Sequence, residues 1–352
     1  MNYQRFEELV SRFAEVKLLV VGDVMVDEFL WGRVNRISPE APVPVVEVER
    51  ETFYAGGAAN VARNLTEFSP RVAVLGLVGE DAAAMKLRDL LEQSHINSGY
   101  LLDDEAFTTV VKTRVIARSQ QMVRVDREKR WALTEKQHIR AVELFEKAVA
   151  EVDAVIFEDY GKGLLTQKLA NELIAMARDR GKLVSVDPNP RNPIQWRGAD
   201  VMKPNRQEAF AAANRVDEGA VTPVTQDGAL RDVGRELLEH WDCRQVLLTL
   251  SEHGMMLLTR EDPNSPIHSQ KSQEVFDVSG AGDTVIALYT LALAAGATEW
   301  EAVQLATHAS CRVVGKIGTA TVTPHELLKS LAEDFPPDPK NRAAADSGAD
   351  QE

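Results

Sequence analysis

The sequence predicts an α/β fold, built on a mainly parallel sheet with helices on its faces. Short, nearly continuous apolar runs recur along the chain, as strands buried on both faces require. Stretches with helical spacing lie between them, as right-handed β-α-β crossovers require. Each apolar run also ends in polar residues and glycine. In open α/β sheets, ligands bind beyond the carboxyl ends of strands.

The elements follow in order. Residues 1–15 place Phe6, Leu9, Val10 and Phe13 at helical spacing and lack the apolar core of a signal peptide. Residues 17–21 (Lys-Leu-Leu-Val-Val) read as a strand ending in Gly22-Asp23. Residues 72–78 read as one strand, followed by a helix to about Ser94. Further strands are expected at 154–157, 183–186 and 246–250, with a helix over 167–180. The last helix is expected over 325–333, and the polar, small-residue-rich tail 334–352 is expected to be disordered. Two stretches break the alternation. Residues 28–52 and 107–126 have strand composition without helices between, which predicts a small antiparallel sheet projecting as a lid.

Composition excludes several classes. The 352 residues carry 40 Lys and Arg against 54 Asp and Glu, a net charge of −14, which disfavours a nucleic-acid surface. The two cysteines, Cys243 and Cys311, have no metal spacing and are expected as free thiols. The seven histidines are scattered, so a zinc site is not expected. No apolar run is long enough to span a membrane. The chain therefore reads as cytoplasmic, with small-molecule partners.

Three segments carry chemistry. Asp277-Val278-Ser279-Gly280-Ala281-Gly282-Asp283-Thr284 precedes an apolar helical stretch. Glycines before a helix start expose backbone N–H groups, and the helix dipole adds positive potential, so Gly280, Ala281 and Gly282 suit an anion. Asp283 at that mouth suits a general base; it is also what a plain N-terminal cap looks like. Gly56-Gly57-Ala58-Ala59-Asn60 opens a second helix with small residues, and Asn60 can both donate to and accept from hydroxyls. Lys203-Pro204-Asn205-Arg206-Gln207-Glu208 contains Asn-x-x-Glu, which is also a capping pattern. Asp23, Asp27, Asp159 and Asp187 follow or end predicted strands and would share one rim. No Walker A loop and no G-x-G-x-x-G occurs, so phosphate binding needs another architecture.

Gly22-Asp23-Val24-Met25-Val26-Asp27, Gly56-Gly57 with Asn60, Asn205-x-x-Glu208 and Gly280-Ala281-Gly282-Asp283 occur in the order and spacing of the ribokinase-like (PfkB) carbohydrate kinases. The resemblance covers residues 15–330. It implies a doubly wound, ribokinase-like domain with a β-sheet lid, using ATP and Mg²⁺, and in some relatives a monovalent cation such as K⁺. Asp283 would deprotonate the acceptor hydroxyl. Asp27, Gly56, Gly57 and Asn60 would hold sugar hydroxyls, with Asp159 beside them. Asn205 and Glu208 would position Mg²⁺-bound phosphates, Glu208 through water. Ser251 and Gly254 would border the nucleotide, and Asp277 and Ser279 a monovalent cation. Paired lids would make a homodimer.

Within that family, residues 36–46, 112–121 and 314–322 resemble kinases of D-glycero-β-D-manno-heptose 7-phosphate, which make the 1,7-bisphosphate. Those are often fused to a nucleotidyltransferase with an H-x-G-H motif. This chain has no such motif and reads as the stand-alone kinase form. The sugar phosphate would need cations, and Lys112, Arg114, Arg118 and Lys162 are the candidates. Leu250 and Asn189-Pro190 stand where those kinases usually carry Arg and Lys-Gly. A fructokinase- or ribokinase-like substrate, or a sugar- and nucleotide-binding regulator without turnover, therefore stays open.

Overall fold

The apolar runs become strands because their residues can be buried on both sides. The computed structural model describes residues 2–336, apart from 119, 222, 263–266, 269–279 and 317–318. In chain order the strands are β1 (Leu18–Gly22), β2 (Val24–Ile37), β3 (Pro44–Gly57), β4 (Val72–Leu75), β5 (Leu77–Gly79), β6 (Leu102–Asp104) and β7 (Val110–Ala117). They continue with β8 (Gln120–Arg127), β9 (Ala154–Glu158), β10 (Leu183–Asp187), β11 (Val201–Met202), β12 (Gln245–Thr249), β13 (Met255–Thr259) and β14 (Ile267–His268). The helices are α1 (Tyr3–Arg12), α2 (Ala58–Thr66), α3 (Ala82–Gln93), α4 (Glu135–Val149) and α5 (Gln167–Asp179). They continue with α6 (Arg206–Ala212), α7 (Gly228–His240), α8 (Ala281–Ala294), α9 (Glu299–Val314) and α10 (Pro324–Asp334).

The main sheet has the order β14-β13-β12-β11-β10-β9-β1-β4 among the described residues. Its six strands from β4 to β12 are parallel, and β13 and β14 add an antiparallel edge. Alternation along β1 sends Leu18 and Val20 into one core, with α1, α2, α3, α8, α9 and α10. Leu19 and Val21 enter the other, with α4, α5, α6 and α7. The chain moves from β1 to β4 on one side and later to β9 on the other. That reversal opens a crevice at the carboxyl ends of β1 and β9, where such sheets bind ligands.

The second sheet has the order β3-β2-β7-β8 and forms the expected lid. One expectation fails: the lid is mixed, because β2 and β7 pair in parallel. The chain between them runs through β3, α2, β4, β5, α3 and β6, a crossover rather than a hairpin, and only a crossover delivers a parallel neighbour. The expected single strand at 72–78 also divides. A Cβ on Gly76 would lie 2.8 Å from both Val24 methyls; there β4 ends in the main sheet and β5 turns to pair with β6.

The N-terminal helix belongs to the same body. Phe6 packs against Phe335 with ring centroids 5.0 Å apart and the rings tilted by 52°, and Arg5 pairs with Glu301 at 3.0 Å. Cys243 and Cys311 are both free. Among the described residues, no helix is long and apolar enough to cross a membrane. The tail expected to be disordered lies outside the described residues from 337 onward.

Candidate active site at the strand ends

Parallel register builds the floor of the site. Gly22 of β1 pairs with Glu158 of β9, and Glu158 pairs with Asp187 of β10. One step beyond the Val186–Met202 pair, Lys203 follows β11. Its ammonium lies 2.7 Å from Asp187. Two carboxylates and one ammonium thus sit in a row on three adjacent strand ends. A Cβ on Gly22 would lie 2.0 Å from the Glu158 carbonyl oxygen, so the strands close up only over glycine.

The head of α8 lies above this row. Its N-cap, Gly280, has φ +81°, in the left-handed region that favours glycine, and no side chain caps the helix. The first N–H groups of α8 are therefore available to an anion, with the helix dipole behind them. A Cβ on Gly282 would sit 3.1 Å from the Lys203 ammonium. Asp283, in the first turn, is buried and held by two donors: Asn60 Nδ2 at 2.6 Å and Tyr160 Oη at 3.1 Å. Burial pushes its pKa up, while Asn60, Lys203 and Tyr160 pull it down. Asn60 Oδ1 has no hydrogen-bond partner and remains an acceptor for a hydroxyl.

The residues expected on the sugar side come from β2, β3 and α2. Gly56 and Gly57 end β3 opposite Met25 and Val24. A Cβ on Gly56 would meet an Asp27 carboxylate oxygen at 2.3 Å, and one on Gly57 the Asp23 carbonyl oxygen at 2.3 Å. The glycine pair lets the strand lie against Asp27 and opens α2 so that Asn60 reaches Asp283. Asp27 accepts from Arg114, whose guanidinium also lies 5.2 Å over the Phe29 ring. Lys112 lies 5.3 Å over the Tyr160 ring. Burial first, then the nearby Lys162 charge, lower the Lys112 pKa. Lys162 pairs with Glu128 at 2.7 Å.

A cavity of about 810 Å³ extends from Asp283 over the floor. Asp159, Asn205, Glu208, Ser251, Gly254 and the Ala281–Asp283 backbone border it. Asn205 and Glu208 form a reciprocal capping box on α6: the Glu208 N–H donates to Asn205 at 2.9 Å, and the Asn205 N–H donates to Glu208 at 2.8 Å. The capping pattern and the cavity position thus coexist. Glu158, Asp187 and Asp283 each offer an oxygen within 4.8 Å of the others. Glu158 Oε2 has no hydrogen-bond partner. Clustered hard oxygens of this kind suit Mg²⁺.

Some expected residues lie elsewhere. Arg118 turns the β7-β8 hairpin at the far end of the lid, exposed, and donates to the Val34 carbonyl at 3.0 Å. Asp23 does not face the cavity: its carboxylate accepts from the N–H groups of Tyr160, Lys162 and Leu164, which fixes the loop after β9. Asp277 and Ser279 lie outside the described residues. Sequence reasoning did not single out Glu158, Tyr160 or Lys203 as site residues. Glu158 and Tyr160 had only position as a signal, just beyond a predicted strand, and Lys203 stood at the head of the Asn-x-x-Glu segment with no strand expected before it.

Asp159 is both cavity wall and loop anchor, accepting from the Gly161 N–H at 2.8 Å and from Asn192 at 3.0 Å. Burial pushes its pKa from 3.8 up to about 7. The folded chain then holds this proton more tightly than the unfolded chain. The resulting stability is complete below pH 3.8 and is lost as pH rises through about 7. The full effect is roughly 4 kcal/mol at about 1.4 kcal/mol per pKa unit. Thermal melts from pH 5 to 8 are expected to show a smaller loss of stability for Asp159→Asn than for the native chain; equal slopes would contradict the assignment.

Comparison with known proteins agrees with this geometry. Residues 16–326 match the model of the pfkB family carbohydrate kinases. The chain is 41% identical over 324 residues to the bifunctional protein HldE of Desulfatibacillum aliphaticivorans, covering 92% of this chain and 65% of that protein. It is 44% identical over 321 residues to the Caulobacter vibrioides HldE, covering 91% and 64%. The chain thus spans under two thirds of each of these relatives. Among solved structures, phosphofructokinase-2 of Escherichia coli in complex with substrates and products superposes with a TM-score of 0.71 at 20% identity, covering 90% of this chain and 99% of that one. Ribokinase of Arabidopsis thaliana complexed with ribose and ATP gives 0.66 at 17% identity, covering 90% and 98%, so the fold is ribokinase-like. With its matched span taking in the strand ends, the lid and the head of α8, the chain belongs to the pfkB family of carbohydrate kinases.

Proposed function

We propose that this kinase transfers the γ-phosphoryl group of ATP to the anomeric hydroxyl of a phosphorylated sugar, D-glycero-β-D-manno-heptose 7-phosphate, giving the 1,7-bisphosphate. The observation that favours a phosphorylated acceptor is the pair Lys112 and Lys162 around Tyr160, although Lys162 shares its charge with Glu128. Lys112 covers the ring of Tyr160, whose hydroxyl bonds to Asp283, and the charge of Lys162 already weighs on Lys112. Two cations that repel each other beside a sugar site favour an anion between them. Arg124 adds a third positive charge near Lys112. The heptose itself rests on the resemblance of residues 36–46 and 314–322 and on the similarity to HldE proteins.

The residues divide the work as follows. Asp27 and Asn60 hold sugar hydroxyls, Asn60 through its free Oδ1. Asp283 takes the proton of the attacking hydroxyl, and Asn60 and Tyr160 keep its oxygens aimed. The N–H groups at the head of α8 neutralise charge on the transferred phosphoryl. Asn205, Glu208, Ser251 and Gly254 border the nucleotide end of the cavity. Mg²⁺ supplies charge neutralisation on the ATP phosphates; Glu158 and Asp187 of the acidic cluster would hold it, with Glu208 acting through water. A monovalent cation such as K⁺ would sit by Asp277 and Ser279; a phosphofructokinase-2 of this fold is known in complex with potassium.

The lid exposes Ile37, Val43 and Val48 on β2 and β3 and the turn between them, and Met122, Val123 and Val125 on β8. We place a second copy of the chain against this apolar sheet, giving a homodimer in the cytoplasm. Light scattering is expected to give twice the 38.9 kDa chain mass; the mass of one chain at micromolar concentration contradicts pairing.

A coupled ADP-release screen tests the substrate. Turnover with heptose 7-phosphate is expected to exceed that with unphosphorylated heptose, ribose or fructose by at least about tenfold in kcat/KM, the share of one lost charged contact. Equal or better turnover with an unphosphorylated sugar would reject the phosphorylated acceptor.

A further inference from the structure

We propose that Lys203 is a further catalytic residue, whose ammonium donates a hydrogen bond to the phosphoryl group while it passes between ATP and the sugar at the head of α8. This rests on the phosphoryl-transfer reading above. It adds a group that neither the glycine-rich motif nor the acidic cluster names.

The position of Lys203 is fixed by the sheet. Its N–H donates to the Val186 carbonyl at 2.9 Å, which continues the β10-β11 ladder. The next residue, Pro204, accepts from the Thr249 N–H at 3.1 Å on the other side. The backbone is thus pinned between β10 and β12, and the side chain has one way to go, under α8. The residue is 3% exposed, a rare state for a lysine, and it borders the main cavity.

Its charge has more acid around it than one ion pair needs. Asp187 takes one ammonium N–H at 2.7 Å. Glu158, in register with Asp187, and Glu208 border the same cavity. An ammonium has three donors, and Asp187 uses one. The side facing α8 is kept open by Gly282, where any Cβ would lie 3.1 Å from Nζ. A side chain at this position would crowd the ammonium. The charge thus borders the same cavity as Ala281, Gly282 and Asp283 in the first turn of α8.

The step balances without further reagents. The bond from the sugar oxygen to the γ-phosphorus forms as the bond from that phosphorus to the β,γ-bridging oxygen breaks. ADP leaves with the electron pair, and the hydroxyl proton passes to Asp283. Lys203 keeps its protons and donates one N–H to a non-bridging oxygen, where charge is spread in the transition state. A preorganised donor in a site closed to water strengthens as that charge develops.

The test compares the native chain with Lys203→Met and Lys203→Arg, using whichever sugar the native enzyme turns over. Lys203→Met is expected to lose about 10²–10³-fold in kcat, the usual loss for one such donor, with KM for ATP and sugar changed by less than about threefold. Lys203→Arg, which keeps the charge, is expected to recover at least about tenfold of the loss. A purely structural lysine would lower melting temperature without this kcat-against-KM split. A folded Lys203→Met with kcat within about threefold of native overturns the proposal. Should Lys203→Met not fold, a crystal structure of the native enzyme with ADP, aluminium fluoride and the sugar decides. Nζ is then expected at about 2.7–3.0 Å from a fluoride or oxygen of the phosphoryl mimic. Nζ still on Asp187 alone, with no contact to the mimic, overturns it. Absence of turnover by the native enzyme on every sugar would instead reject the phosphoryl-transfer reading itself.

Discussion

Everything in the site depends on one buried carboxylate being tolerated. Asp283 sits in the first turn of α8 with little access to water, where an unpaired charge would cost several kcal/mol. Asn60 and Tyr160 hold its two oxygens, the helix dipole favours its charge, and Lys203 stands below. Each partner comes from a different element: α2, the loop after β9, and the end of β11. α2, the loop after β9, the floor strands and α8 must therefore all be in place before the carboxylate is stable where it is. That coupling ties fold to chemistry more tightly than any single motif does.

The loop after β9 shows the same logic. Asp23 and Asp159, two more buried carboxylates, take backbone N–H groups from residues 160–164. They hold in one conformation a loop that carries Tyr160 to Asp283 and Lys162 to the lid. Neither aspartate needs to touch a substrate to matter. The glycines act likewise by absence: Gly22 and Gly56 sit where a Cβ would strike a carbonyl oxygen or a carboxylate, and Gly282 where one would crowd an ammonium.

Much of this was legible in the sequence, for definable reasons. Strands buried on both faces announce themselves by composition, so β1, β4, β9, β10 and β12 could be read, while the two-residue β11 and the antiparallel edge of β13 and β14 could not. The head of α8 could be read because glycines before an apolar helix have few other uses. The parallel pairing of β2 with β7 could not, because a strand's partner is set by the path of the chain between. Glu158 and Lys203 were missed because their closeness to Asp187 arises across strands, from register, while in the chain they are tens of residues or more than a dozen apart. Arg118 was grouped with Lys112 by nearness in sequence, yet along an extended strand six residues reach about 20 Å, which carries it to the far end of the lid. The break at Gly76 depends on Val24 standing against it, a contact that no local pattern announces.

The central claim is that Asp283 is the base, held ready by two donors rather than merely capping a helix. The most direct measurement is single-turnover phosphoryl transfer by Asp283→Asn, with ATP binding followed in parallel. Asparagine can fill the same space and still accept from Asn60 or Tyr160, but it cannot take a proton at neutral pH. The account predicts unchanged ATP affinity and a rate lower by at least about 10²–10⁴-fold, the range for loss of a general base. A rate near that of the native chain would reduce Asp283 to a structural cap and contradict the account.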